Sequence, residues 1–161
     1  MPPHVKEVKC EAPSIVSGEF YFNQATFKTD NILTTAPDDE AKKKYWLGNN
    51  FKPAIAILNL GCEKTVNMVE LINTHNSVYR DRSTREIKID VSKDEKGPWV
   101  EVLKATLEDS RGQKDPVPLQ RFPFESKKAK FVKIELVSWY LNGAGLSYFN
   151  VLGESLQKLI F

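Results

Sequence analysis

Two short stretches of the chain carry the residue types that read a sugar. His75, Tyr79 and Arg80 stand close together, and Trp139 and Tyr140 form a pair nearer the end. A pyranose offers a C–H face that packs on an aromatic ring and a rim of hydroxyls that wants planar polar groups. These residues supply both, and Asn76 and Arg82 extend the first group. Each also has a structural reading. Trp139 and Tyr140 adjoin an apolar strand, so one of them is expected to point inward. Trp46 and Trp99 are expected to anchor the core, and Arg82 can simply pair with a carboxylate beneath its loop. His75, within Asn73-Thr74-His75-Asn76-Ser77, reads as a solvated loop residue rather than a general base.

Catalytic chemistry finds no such support. The chain has no Gly-x-Ser-x-Gly elbow, no phosphate-cradling glycine loop and no His-Glu-x-x-His. A non-enzymatic binding protein is expected. The formal charge is only +2, which argues against nucleic acid as a partner. The lysines of 42–44 and Lys127, Lys128 and Lys130 read as solvated loop charges. Cys10 and Cys62 carry no zinc-type spacing and are expected to be two free thiols, Cys62 half-buried after Leu60-Gly61. Residues 1–10 lack the apolar core of a signal peptide, and no stretch reaches the roughly 20 apolar residues of a spanning helix. The expected setting is therefore cytoplasmic, or else an expressed fragment of a secreted protein.

The elements that must position these residues are strands. Glu86 to Ser92 alternates apolar and polar with period two, as do Val100 to Ala105, Phe131 to Val137 and Thr65 to Ile72. Ala54 to Leu58 is continuously apolar and predicts a strand buried on both faces. Turn signals at 47–50, 94–98, 109–113 and 142–145 separate the runs. Residues 38–45 predict at most a short helical turn, and the tail at 155–161 is apolar enough to pack back on the body. With 161 residues and 41% hydrophobic content, one domain over 1–161 with a core at about 13–154 is expected, an antiparallel β-sandwich.

The order of landmarks resembles the discoidin family, also called the coagulation-factor type C domain, within the galactose-binding-like jelly rolls. The carriers are Asp39 to Trp46, an apolar strand ending Leu60-Gly61, Val66-Val69-Leu71 and Arg82-Ser83-Thr84, followed by Ser92 and Trp99. Lys130 to Lys133 and Leu146 to Gly153 complete the series. The resemblance implies an all-β jelly roll whose loops at one end hold the ligand, here segments 23–45, 73–82, 109–115 and 138–145. It implies a lectin-like role on a glycan or glycoconjugate, as in cell adhesion, with His75, Asn76, Tyr79, Arg80, Arg82, Trp139 and Tyr140 as ligand-binding residues. It also implies one structural Ca²⁺ on Asp38, Asp39 and Glu154, hard oxygen donors suited to that ion. Departures are visible: Asp39-Glu40 stands where the family has Asp-Gly, and Cys10 lacks the late partner of extracellular members. These favour an intracellular adaptor that docks a protein partner. A third reading is anionic-lipid binding at a membrane surface, with Ile32-Leu33 and Trp139-Tyr140-Leu141 as apolar spikes.

Overall fold

A computed structural model describes residues 10–33 and 44–155, with Glu154 and Ser155 described by their backbone alone. Among these residues seven strands form: β1 (Ser14–Gly18), β2 (Trp46–Leu47), β3 (Ala54–Asn73), β4 (Glu86–Ser92), β5 (Val100–Thr106), β6 (Leu119–Leu136) and β7 (Gly145–Ser155). All the pairings between them are antiparallel. The hydrogen-bonded order is β2-β7-β3-β6-β4-β5, with β1 added on β3.

Two strands are far longer than ordinary, and they generate the sandwich. The first part of β3, Ala54 to Asn59, pairs with β1 and with the last part of β6, which in turn pairs with β4. The second part, Lys64 to Asn73, pairs with β7 and with the first part of β6. Register is broken between Asn59 and Lys64, where both strands fold over from one layer into the other. Each long strand therefore leaves one end of the sandwich and returns to that same end. The loops at 47–53, 74–85, 107–118 and 137–144 all gather there. The layers enclose a core that includes Trp46, Leu58, Val69, Leu71, Ile89, Ile134 and Phe149.

Several expectations need correction. The two apolar runs at 54–58 and 65–72 are one strand, and the first is not buried on both faces. It alternates, with Ala54, Ala56 and Leu58 inward and Ile55 exposed, because one face of the outer layer meets solvent. The strand expected at 131–137 begins at Leu119, and Lys127, Lys128 and Lys130 belong to it rather than to a loop. Trp46 is a core anchor, fully buried, its indole N–H donating to the Glu19 carbonyl at 2.8 Å. Trp99 is not. It lies half-buried on the outer face with the Lys133 ammonium 4.6 Å from its ring centre. Ile32 is fully buried and Leu33 packs against the core, so this pair cannot serve as a membrane spike. Positions 38–43 and 156–161 lie outside the described residues.

The cysteines are not free thiols: Cys10 and Cys62 are joined in a disulfide. The N-terminal arm crosses the bend of β3, and the bond pins it there. Gly61 makes the crossing possible. Its φ is +89°, and a Cβ there would overlap the Glu11 carbonyl. Gly61→Ala is expected to lower stability by about 2 kcal/mol through left-handed backbone cost and displacement of the arm. Urea unfolding midpoints of the two proteins check this.

Candidate functional site

At the end where the loops gather, backbone hydrogen bonds bind three of them into one surface. Gly48 N–H donates to the Ala144 carbonyl, Phe51 N–H to Asn142, Asn142 N–H to Asp81 and Tyr140 N–H to Ser83. Segment 81–85 thus lies on the far side of the 139–144 turn from the 48–51 turn. Beneath it is a buried polar layer. The Asn73 amide donates to the carbonyls of Thr84 and Glu108, while its own oxygen accepts from Thr74 N–H and Thr84 N–H. Ser110 Oγ donates to the Thr74 carbonyl at 2.7 Å, and Thr84 Oγ1 donates to the Gly145 carbonyl. Such a satisfied network fixes loop positions that apolar contacts alone would leave loose.

The surface encloses a cavity of about 420 Å³. Its aromatic walls are Tyr21, Phe27, Tyr45 and Tyr79, and its polar groups include Asn50, Asn76, Asp81, Arg82 and Asn142. Phe27 stacks on Tyr45 at 5.8 Å, and Tyr21 meets Phe27 edge-on at 6.1 Å. The Tyr45 hydroxyl donates to Asn76 Oδ1 at 2.8 Å, and Asn76 Nδ2 donates to Asp81 Oδ1 at 2.7 Å. Asn76 takes the left-handed region, φ 61°, which an asparagine tolerates better than most residues.

Arg82 is the centre of this arrangement. Its side chain is 2% exposed, it donates to Asn50 Oδ1 and the Gly48 carbonyl, and it lies 3.3 Å from Asp81. Its guanidinium stands over the Tyr21 ring at 5.4 Å. Burial lowers its pKa from the ordinary arginine value, with the Asp81 carboxylate and Tyr21 opposing, and an arginine remains charged under such a shift. Nε has no hydrogen-bond partner and sits against Gly143, where a Cβ would come within 2.8 Å of it. Glycine at 143 is what lets the guanidinium pass. The expected pairing of Arg82 with a carboxylate and its place in this cavity are both features of one side chain.

Of the other residues singled out by sequence, Asn76 and Tyr79 line the cavity, and Tyr79 is 67% exposed at its mouth. His75 does not line it and is not solvated: it is 1% exposed, with Nε2 2.8 Å from Asp115 Oδ1 and Nδ1 3.1 Å from the Ser77 carbonyl. Arg80 also turns away, donating to the carbonyls of Arg111 and Gln113 at 3.0 and 2.7 Å. The stretch 75–82 therefore splits by role. His75 and Arg80 grip segment 109–115, while Asn76, Tyr79 and Arg82 face the cavity. That segment is held within itself as well, since hydrogen bonds from Arg111 keep the Asp109 carboxyl below the usual carboxylate range.

Trp139 packs against the core, and its backbone bridges to Thr84. The Tyr140 hydroxyl donates to the Leu107 carbonyl at 2.7 Å, and its ring lies 5.9 Å from the guanidinium groups of both Arg85 and Arg111. Neither lines the cavity; Asn142 of the same turn does. Residues 38 and 39 lie outside the described residues, and the Glu154 backbone pairs with Thr65. Among the described residues no three His, Cys, Asp or Glu side chains come together as a metal site. Among the described residues the cavity lining holds one carboxylate, Asp81, already committed to Arg82 and Asn76.

Sequence reading missed Tyr21, Asn50 and Asp81. Signals existed for each. Tyr21 lies in Phe20-Tyr21-Phe22, an aromatic triplet outside any strand alternation, Asn50 closes a recognisable turn, and Asp81 is flanked by two arginines.

No family model matches the chain. No curated protein matches it either. Solved structures do. A fragment assigned as a chitobiase from Bacteroides thetaiotaomicron superposes with a TM-score of 0.72 at 12% identity, covering 93% of each chain. The C-terminal domain of a chitobiase from Bacteroides fragilis gives 0.69 at 13%, covering 94% of this chain and 99% of the other. A family 32 carbohydrate-binding module from Clostridium perfringens, in complex with GalNAc-β-1,3-galactose, gives 0.66 at 16%, covering 88% and 94%. The chain has the discoidin-like, galactose-binding-type jelly-roll fold, an all-β antiparallel sandwich.

Proposed function

We propose that this chain is a non-catalytic carbohydrate-binding module and that a glycan seats in the cavity around Arg82. The observation that carries this reading is the combination of aromatic walls with polar groups already fixed in position. Tyr21, Phe27 and Tyr79 offer surface for the C–H face of a pyranose, and Asn50, Asn76, Asp81 and Asn142 surround Arg82 with amide and carboxylate groups for its hydroxyls. The hydroxyls of Tyr21 and Tyr79 have no hydrogen-bond partner among the described residues, so they are available to a ligand. Groups that are ordered before the ligand arrives lose little freedom on binding. The likeness to a module solved with a disaccharide supports the same reading.

The Cys10–Cys62 bond bears on the setting. Disulfides persist in oxidising compartments, which supports a secreted or surface protein over a cytosolic adaptor.

The test is a glycan array probed with the purified protein, in Ca²⁺ and again in EDTA. Binding of a defined sugar class in either condition supports the proposal, and loss of that binding in EDTA would add a calcium ion to it. Blank arrays in both would overturn the proposal. Tyr79→Ala should weaken binding about tenfold, the worth of one good aromatic–sugar contact, without moving the unfolding midpoint, since Tyr79 is 67% exposed. Calorimetric titration beside thermal melting separates those effects.

A further inference from the structure

A second cavity, of about 540 Å³, opens beside the first and is lined by Glu19, Phe22, Asn23, Asn49, Asn50 and Lys52. Asn50 belongs to both cavities, and the 20–24 segment is shared between them. Tyr21 and Gln24 face the first, while Phe20, Phe22 and Asn23 face the second. The Tyr21 and Phe22 rings stand 4.6 Å apart at 75°, so two aromatic surfaces meet at an edge, one in each cavity.

Phe22 is displayed at a cost. It is 69% exposed, its φ is 44°, and Asn23 beside it has φ 54°. A bulky side chain in the left-handed region is disfavoured and persists only where the surroundings hold it. Here the Asn49 carboxamide oxygen holds it, accepting from Phe22 N–H at 2.9 Å. Strain of this kind, spent on presenting a phenyl ring to solvent, has no use in the core.

From this geometry we infer that the second cavity is a second saccharide subsite, and that the ligand is an oligosaccharide lying across Asn50 with consecutive rings against Tyr21 and Phe22. This rests on the glycan reading of the first cavity and extends it. Glu19, Asn23, Asn49 and Lys52 supply carboxylate, amide and ammonium groups for the hydroxyls of the second ring. Each cavity is of a size that accepts a small-molecule ligand, so the pair suits at least two sugar units.

The experiment is calorimetric titration with two matched pairs of probes, galactose against GalNAc-β-1,3-galactose and N-acetylglucosamine against chitobiose. In at least one pair the disaccharide should bind the unaltered protein about tenfold more tightly. Phe22→Ala should erase that advantage while leaving monosaccharide affinity within about twofold, and Lys52→Ala should reduce it in the same direction. Tyr79→Ala should weaken both members of a pair together. If mono- and disaccharide bind equally, or if Phe22→Ala keeps the disaccharide advantage, the second subsite is overturned and the first stands. If neither member of either pair binds and the glycan array is blank as well, the glycan reading fails and this inference fails with it; if the array is positive for another sugar, that sugar and its disaccharide replace the pairs and the same criteria apply.

Discussion

Replacing Arg82 with alanine is expected to weaken glycan binding on the order of 100-fold and to destabilise the fold by about 3 kcal/mol. The guanidinium is 2% exposed and joins three parts of the molecule. It bonds the 48–50 turn through the Gly48 carbonyl and Asn50, steadies Asp81 on its own segment, and covers the Tyr21 ring. Removing it leaves the Gly48 carbonyl and the Asn50 oxygen without their donor, and polar groups so stranded lose stability. The same deletion frees Asn50 and Asp81, two of the groups that would meet sugar hydroxyls, so affinity is expected to fall on the order of 100-fold. Arg82→Lys separates the two effects. The ammonium keeps the charge near Asp81 but cannot span Asn50, Gly48 and Asp81 at once. That variant is expected to recover most of the stability and little of the affinity. Urea unfolding gives the first quantity and calorimetric titration the second.

The second large effect concerns the opposite end of the sandwich. Replacing Cys10 and Cys62 together with serine is expected to lower stability by about 4 kcal/mol, because the bond closes a loop spanning 52 residues and so restricts the unfolded chain. The bond lies at the bend where β3 passes between layers, away from the cavity. Glycan affinity of the folded fraction should therefore be unchanged, unlike the Arg82 variants. A shift in urea midpoint with constant affinity is the expected result. Dithiothreitol added to the unaltered protein should reproduce it.

Strand alternation was legible wherever one face is buried and the other wet. Glu86 to Ser92 forms a strand over the expected residues, and Val100 to Ala105 does so to within one residue. What sequence pattern hid was continuity. Gly61-Cys62-Glu63-Lys64 breaks the alternation and reads as a stop, yet the strand continues through it as it folds into the other layer. Pro123 likewise argues against a strand at 119–130, but it sits at a register shift, where a missing N–H is tolerated. The disulfide was hidden for a related reason. Its two cysteines are distant in sequence and meet only because the N-terminal arm crosses that bend.

The site was half legible. Residue type brought out Asn76, Tyr79 and Arg82, which line the cavity, together with His75 and Arg80, which hold the neighbouring loop. Type cannot tell these roles apart, since each depends on which way a turn with left-handed residues at 76, 77 and 80 directs its side chains. Tyr21, Asn50 and Asp81 come from three separate loops. Only the return of both long strands to one end brings them together.

The most direct test of the central claim is a two-dimensional ¹H–¹⁵N NMR titration of the protein with the tightest sugar found on the array. Shift changes should concentrate on Tyr21, Asn50, Asn76, Tyr79, Arg82 and Asn142. Changes centred instead on the outer-face groove of Lys88, Lys104 and Glu135 would contradict the account, as would a spectrum that does not respond.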